Sequence, residues 1–539
     1  MRNFAAALFL AVVVQAQSAD KQAEVDRIFS AFNTHTPGCA VGVAQNGSVV
    51  LKAGYGMADL ERNVSITPDT VFESGSVAKQ FTAASVMLLA QQGKLSLDDP
   101  MRKYLPELAD YGTPLTIRQI MSHISGIREW RPLATFGGLP EELYVYSNQD
   151  ILQLAAKQHN LNFEPGTNYS YSNTGFNLFP LLVERVLGNG KTFQQFTREN
   201  IFAPLGMEHS HWRDDFRAIV PNRALAYRPI EGAARFTQDT PIENIIGAGG
   251  LLTTVGDLLL WNENFTHAKV GGPTFVQEQQ TPAILKDGHQ ITYARGLAVS
   301  TVNGMREVAH SGSTGGYRTW LGRYPDQHVS VTVLCNSASA NPTKLGRETA
   351  ILWRGAVPTQ TSAVTYSADP AKLAALAGMY RNLRDNTVVR LTWSNSKLIS
   401  HPSNTELVPT AADRFRLGTS EIVIVFKDGR MRMIEPDTEI LFERVEMAHP
   451  AASELAALAG EYESSETGTK LRLSAGHNPG EMVYQLGAQT PVPIKPTFRD
   501  AFETPSRSSI YFIRDASGKV IALSVGEDRV WSLRFDRIR

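Results

Sequence analysis

The chain has 539 residues, 42% of them hydrophobic and 19% charged, enough for large buried cores and too long for one compact domain of ordinary size. Its formal net charge of -1 excludes the bulk basic field with which proteins gather polyphosphates, so nucleic acid is not an expected partner. Two or three domains are expected.

The opening stretch, MRNFAAALFLAVVVQAQSAD, sets Arg2 before an apolar run from Phe4 to Val14, then small and polar residues around Ala16 and Ser18. This is the pattern of a secretory signal peptide over residues 1–18, and the run falls short of the roughly 20 residues that span a bilayer. An exported protein, periplasmic or extracellular, is expected, with no membrane span.

Next, CAVGVAQNGSVVLKAGYGMAD reads as two β-rich runs joined at Asn46-Gly47, a dipeptide suited to a tight hairpin. From Val77 to Gln91 apolar residues recur at helical spacing, ending near Gly93. Between Asp98 and Leu259 helix-like segments alternate with Pro and Gly, and strand character returns in REVAHSGSTGGYRTWLGRYP and HVSVTVLCNS. Strands at both ends of a helical middle predict one sheet assembled from the two ends of an α/β unit, residues 19–360. The only cysteines, Cys39 and Cys335, lie in these strands without metal or redox spacing. Export permits a disulfide, and two buried thiols fit at least as well.

From Pro370 onward, short strand-like runs are broken by Gly, Asn, Asp and Pro. LAALAGMY (Leu373 to Tyr380) recurs as LAALAGEY (Leu455 to Tyr462), and the copies close with LFERV and LRFDRI. Two copies of roughly 80 residues predict two small antiparallel β-barrels or sandwiches, residues 367–448 and 449–539.

Three constellations could carry chemistry. Ser76 and Lys79 stand three apart at a helix start, a spacing that chance also supplies but that places both on one face. A serine hydroxyl needs something to take its proton, and a lysine does so once burial or nearby positive charge lowers its pKa. Tyr171, Ser172 and Asn173 follow a Pro-Gly turn and precede a helix-like run: a phenol can relay a proton, and an amide can orient the lysine or grip a carbonyl. Alone, the triplet reads more readily as an aromatic surface loop with Asn173 capping the next helix. His310-Ser311-Gly312-Ser313 lies on a late strand, where Gly312 lets the strand approach closely and the Ser313 amide can join that of Ser76 as an oxyanion donor.

Together, Ser-x-x-Lys, Tyr-x-Asn and His-x-Gly resemble the three active-site motifs of the penicillin-recognising serine hydrolases. TPDTVFESGSVAKQFTAASVMLLAQQGKLSLDDP, LTIRQIMSHISGI and GAGGLLTT are similar to the same family over residues 25 to 357. The resemblance implies a β-lactamase-like catalytic domain with an antiparallel sheet and a helical subdomain, an α/β (α+β) fold followed by two barrels, the layout of D-aminopeptidases. It implies that Lys79, with Tyr171, takes the Ser76 proton, that Tyr171 serves the leaving group, and that Asn173 and His310 position substrate and proton relay. Histidine at 310, where β-lactamases carry lysine, implies D-amino-acid peptides rather than penicillins.

The expected activity is hydrolysis of amide bonds in short D-amino-acid-containing peptides, of D-aminopeptidase or D-alanyl carboxypeptidase type. A lactamase-like esterase, a β-lactamase and a non-catalytic cell-wall peptide-binding protein are the alternatives, and the substrate is a small peptide or ester. No cofactor or metal is expected, since His209 and His211 have no third ligand at a recognisable interval. His123 in SHISG is read as ordering a loop at the cleft. In the resembling D-aminopeptidases a loop of the last barrel restricts substrate entry; removal of the repeats from about Ser367 is expected to alter substrate range more than chemistry. Oligomeric state is left open.

Overall fold

Both ends of the first unit meet in one antiparallel sheet of six strands, ordered Ala298–Val302, Met305–Thr314, Tyr317–Tyr324, Val329–Cys335, Cys39–Gln45 and Ser48–Tyr55. The computed structural model describes residues 20–140, 143–355, 366, 369–476 and 481–538. The signal peptide expected at residues 1–18 lies outside them, as does most of the segment joining the first unit to the repeats. Among the described residues no helix is long and apolar enough to cross a membrane.

The sheet is covered on both faces, so the strand Val329–Cys335 is buried at every position, including Ser330 and Thr332. Val329, Val331, Val333 and Cys335 pack with Val25, Phe29, Trp320 and Ala350 on one side. Leu334 points to the other, toward Phe81, Val255 and Leu258. Cys39 lies directly opposite Cys335 in the strand register and the two form a disulfide, with Cα atoms 4.0 Å apart. The reading of two free thiols therefore does not hold: antiparallel pairing alone brings the sulfurs together.

The helix Lys79–Gln91 is buried at every position from Lys79 to Leu89. Apolar or small residues lie on all its sides, as a central helix requires. A short 3₁₀ turn, Gly75–Ala78, leads into it and carries Ser76.

The two sequence repeats form two closed eight-stranded antiparallel barrels, from Gly378–Asn382 to Glu439–Val445 and from Gly460–Ser464 to Val530–Arg537. The structure explains the repeated phrases. Each opening phrase forms a short helix and the first strand, and its tyrosine donates back to a helix carbonyl, Tyr380 to Leu376 and Tyr462 to Leu458. Each closing phrase supplies an arginine that donates to carbonyls at the end of the same helix, Arg444 to Ala375 and Ala377, Arg537 to Ala457 and Ala459. First and last strands pair across these residues, Tyr380 with Arg444 and Tyr462 with Arg537, which removes the open edges that an unclosed sheet would expose.

A buried ion pair fastens the second barrel to the first unit. Arg128 and Glu466, 3% and 4% exposed, meet at 2.7 Å, and Glu466 also accepts from the backbone amides of His159 and Asn160. Removing one partner strands the other charge in a dry interface, so Glu466→Ala is expected to lower stability by roughly 3–5 kcal/mol, measured by chemical denaturation.

Candidate active site

Lys79 is fully buried, and its amine has three partners: the Ser76 hydroxyl at 3.0 Å, Asn173 Oδ1 at 2.8 Å and the Ala248 carbonyl at 2.9 Å. The last two can only accept. A neutral amine has two hydrogens and one lone pair, so donating to Asn173 and Ala248 leaves the lone pair for the Ser76 O–H. Burial drives the amine well below the ordinary lysine range; Glu129 opposes this, while Arg131 and Arg529 reinforce it. Free amine and aligned hydroxyl are what a serine nucleophile needs.

The carbonyl of Ala248 reaches the lysine from a backbone that Gly247 shapes. A side chain at Gly247, whose φ is +102°, would place Cβ 2.4 Å from the Phe176 carbonyl, a distance that backbone packing here forbids.

Glu129 decides which way Asn173 points. Its carboxylate accepts from the Asn173 backbone amide and, at 2.9 Å, from Asn173 Nδ2. The amide nitrogen must face the carboxylate, so Oδ1 faces Lys79. Around this contact the preceding residue adds two more ties, since the Arg128 carbonyl accepts from the hydroxyls of Ser172 at 3.4 Å and Thr174 at 2.7 Å. From the opposite side His123 receives Ser170 N–H on its carbonyl and Ser172 N–H on Nδ1, so it does order the loop. Tyr171 is thereby fixed with its ring centroid 4.9 Å from Lys79 Nζ. Burial raises its pKa, and a hydrogen bond with Ser76 and the Arg529 charge lower it; it stands as a neutral phenol.

The third motif closes the floor. A Cβ at Gly312 would lie 2.1 Å from the Ser74 carbonyl, 2.2 Å from Thr319 Oγ1 and 3.0 Å from the Ser76 amide nitrogen. Thr319 donates to that same Ser74 carbonyl at 2.7 Å. Only glycine at 312 lets the strand lie against the nucleophile turn, with the Ser313 nitrogen 2.6 Å from where a Gly75 Cβ would sit. The two amides nominated as oxyanion donors are thus neighbours.

His310 has both ring nitrogens engaged. Nδ1 lies 2.6 Å from the Ser311 carbonyl, which can only accept, so Nδ1 carries the proton and Nε2 accepts from Tyr293 O–H at 2.9 Å. Burial above all brings its pKa down to about 3. A neutral imidazole with no free proton cannot relay one, which narrows the part expected of His310 to positioning.

Ser76, Tyr171, Asn173, His310, Gly312 and Ser313 line one cavity of about 1250 Å³, with Lys79 beneath it. Residues 25–354, more than half of the chain, match the Beta-lactamase family. The chain belongs to the β-lactamase family. A D-aminopeptidase of Gluconobacter oxydans is 29% identical over 307 residues, 56% of each chain, so this chain spans little more than half the length of that relative. An octameric penicillin-binding protein homologue from Pyrococcus abyssi has a similar fold, with a TM-score of 0.57 and 23% identity over 78% of this chain and 99% of its own. So has a D-amino acid amidase from Ochrobactrum anthropi SV3, with a TM-score of 0.51 and 20% identity over 62% and 97% of the two chains.

In this member of the β-lactamase family the cavity is not made by the family domain alone. Glu527, Asp528 and Arg529, at the turn between the last two strands of the second barrel, complete its wall. From the first barrel, Asp437 accepts from the Thr292 amide and, at 3.0 Å, from its hydroxyl, beside the Tyr293 that holds His310. The barrels thus touch the residues that hold the motifs. Removing the barrels would therefore take away part of the cavity wall as well as the Asp437 contact beside Tyr293.

Proposed function

We propose that the chain is an exported serine hydrolase that cleaves amide bonds in short D-amino-acid-containing peptides through an acyl-enzyme. The single observation that carries this reading is the buried Lys79 amine, 3.0 Å from the Ser76 hydroxyl and held by Asn173 Oδ1 and the Ala248 carbonyl, which in its neutral form turns its lone pair to that hydroxyl. In the acylation step the Ser76 proton passes to Lys79 while Oγ bonds to the carbonyl carbon, and the resulting oxyanion is held by the Ser76 and Ser313 amides. Tyr171 gives its phenolic proton to the leaving nitrogen as the C–N bond breaks, and is reprotonated from Lys79. Water then attacks the ester, its proton leaving through the same pair, and Ser76 regains its hydrogen.

The D-configuration is supported by the Gluconobacter oxydans relative, a D-aminopeptidase. Export is supported by the opening sequence and by the Cys39–Cys335 disulfide, a bond that persists in oxidising compartments. A cavity of about 1250 Å³ has room for a peptide of several residues.

The test is turnover by the mature protein of D-alanine p-nitroanilide, D-alanyl peptides, a short-chain nitrophenyl ester and nitrocefin. Hydrolysis of the D-anilide and D-peptides, lost in Ser76→Ala, is the expected result. Turnover of nitrocefin alone would move the reading to a β-lactamase, and of the ester alone to an esterase. No turnover, with ligand binding unchanged in Ser76→Ala, would leave a binding protein.

A further inference from the structure

Lys79 and Tyr171 work beside a cation that reaches them from the far end of the chain. We propose that Arg529, on the last turn of the second barrel, is a positioning residue of the catalytic centre that steadies the Tyr171 ring and sets a positive charge against the same ring that Lys79 faces. The inference rests on the acyl-enzyme reading above.

The geometry is fixed from several sides. The Arg529 guanidinium stands 4.9 Å from the centroid of the Tyr171 ring, within the range where a cation is held by an aromatic face. Its backbone is pinned to the first unit: the Arg529 carbonyl accepts from the Glu129 amide at 3.3 Å and from Asn162 Nδ2 at 2.9 Å. Asn162 Oδ1 in turn accepts from the Trp531 amide at 3.0 Å, so one side chain brackets the turn. Trp531 packs on Phe163, with ring centroids 5.1 Å apart, and carries the Arg384 guanidinium at 4.7 Å. The adjacent Asp528 approaches Arg529 only to 3.6 Å, and with the two side chains 89% and 41% exposed solvent screens the pair and weakens the Arg529 field.

The charges facing Lys79 are Glu129, Arg131 and Arg529, with the His123 and His310 rings also nearby. Tyr171 faces Ser76, Arg529, Glu129 and Arg131, and the phenols of Tyr169 and Tyr293. Glu129 favours an ammonium at position 79, and its carboxylate cannot be spared because it orients Asn173. Arg529 offsets that charge without touching the amine. It lowers the pKa of both Lys79 and Tyr171. Without it Lys79 would stay protonated, and Tyr171 neutral, to higher pH, so both limbs of the acylation profile would move upward.

The test follows the rate at which a fluorophosphonate probe labels the full chain as a function of pH, in wild type, Arg529→Gln, Arg529→Lys and Ser76→Ala. The acidic limb is expected to rise by roughly 0.5–1 pH unit in Arg529→Gln. In Arg529→Lys, which keeps the charge and loses the planar stack, it is expected to stay near the wild-type position with a slower maximal rate. An Arg529→Gln limb at the wild-type pH, or an equal displacement in Arg529→Lys, would overturn the inference and leave the acyl-enzyme reading standing. Failure of the wild type to label, or labelling that survives in Ser76→Ala, would sink the acyl-enzyme reading and this inference with it.

Discussion

Replacing Lys79 with alanine is expected to slow acylation of Ser76 by about 10²–10⁴-fold, the usual worth of a positioned general base, while the protein still folds. In its neutral form the Lys79 amine, 3.0 Å from the Ser76 hydroxyl, is the acceptor for its proton. Asn173 Oδ1 and the Ala248 carbonyl, the groups that surround the amine, face the lysine rather than the serine. The measurement is the single-turnover rate on a chromogenic D-anilide, with a residual rate within tenfold of wild type as the outcome that would assign the base elsewhere. A second signature follows from linkage. The folded-state pKa of Lys79 is depressed by burial below its ordinary 10.5, so between the two values the unfolded chain binds the extra proton and this group's contribution to stability rises with pH. Lys79→Ala should remove that slope across the same window, and a mutant whose stability keeps the full slope would mean that Lys79 is not buried as a free amine.

The Ser76–Lys79 pair and the third motif were legible because their chemistry is written in side chains at fixed spacing. Residues three apart share a face whether the turn is α or 3₁₀, so Ser76 and Lys79 meet although the serine sits in a 3₁₀ turn. The barrels were legible because the repeated phrases contain the tyrosine and arginine that tie each barrel's ends together. What escaped was of two kinds. The Ala248 carbonyl is a backbone acceptor, and no side chain announces it; only Gly247 hints at a close approach. Glu129, Tyr293 and Arg529 are single residues whose importance depends on partners far away in the chain. An acid in SGIREW carries no motif of its own until Asn173 is folded against it.

Glu129→Gln shows how much rests on that unannounced acid. It changes one oxygen to an amide nitrogen with almost no change in shape, yet it is expected to lower acylation by about 10²-fold or more. In the native site both carboxylate oxygens accept from Asn173, one from the backbone amide and one from Nδ2. A glutamine has only one oxygen for these two donors. If it keeps the backbone N–H, its own NH₂ faces Asn173 Nδ2, and the Asn173 amide must turn over to relieve two donors in contact. Nδ2 then points at Lys79 and donates into the lone pair that should receive the Ser76 proton. The substitution also removes the negative charge that raises the Lys79 pKa, so the acidic limb should move to lower pH even as the rate falls. That combination separates a misdirected amide from a lost base. The second change Asn173→Asp offers the glutamine NH₂ an acceptor and returns an oxygen to Lys79, so Glu129→Gln with Asn173→Asp should recover part of the rate while lifting the acidic limb again, because the charge now sits against the amine. Equal rates for Glu129→Gln and wild type, or a double mutant slower than the product of the two single effects, would mean that Glu129 does not set the direction of Asn173.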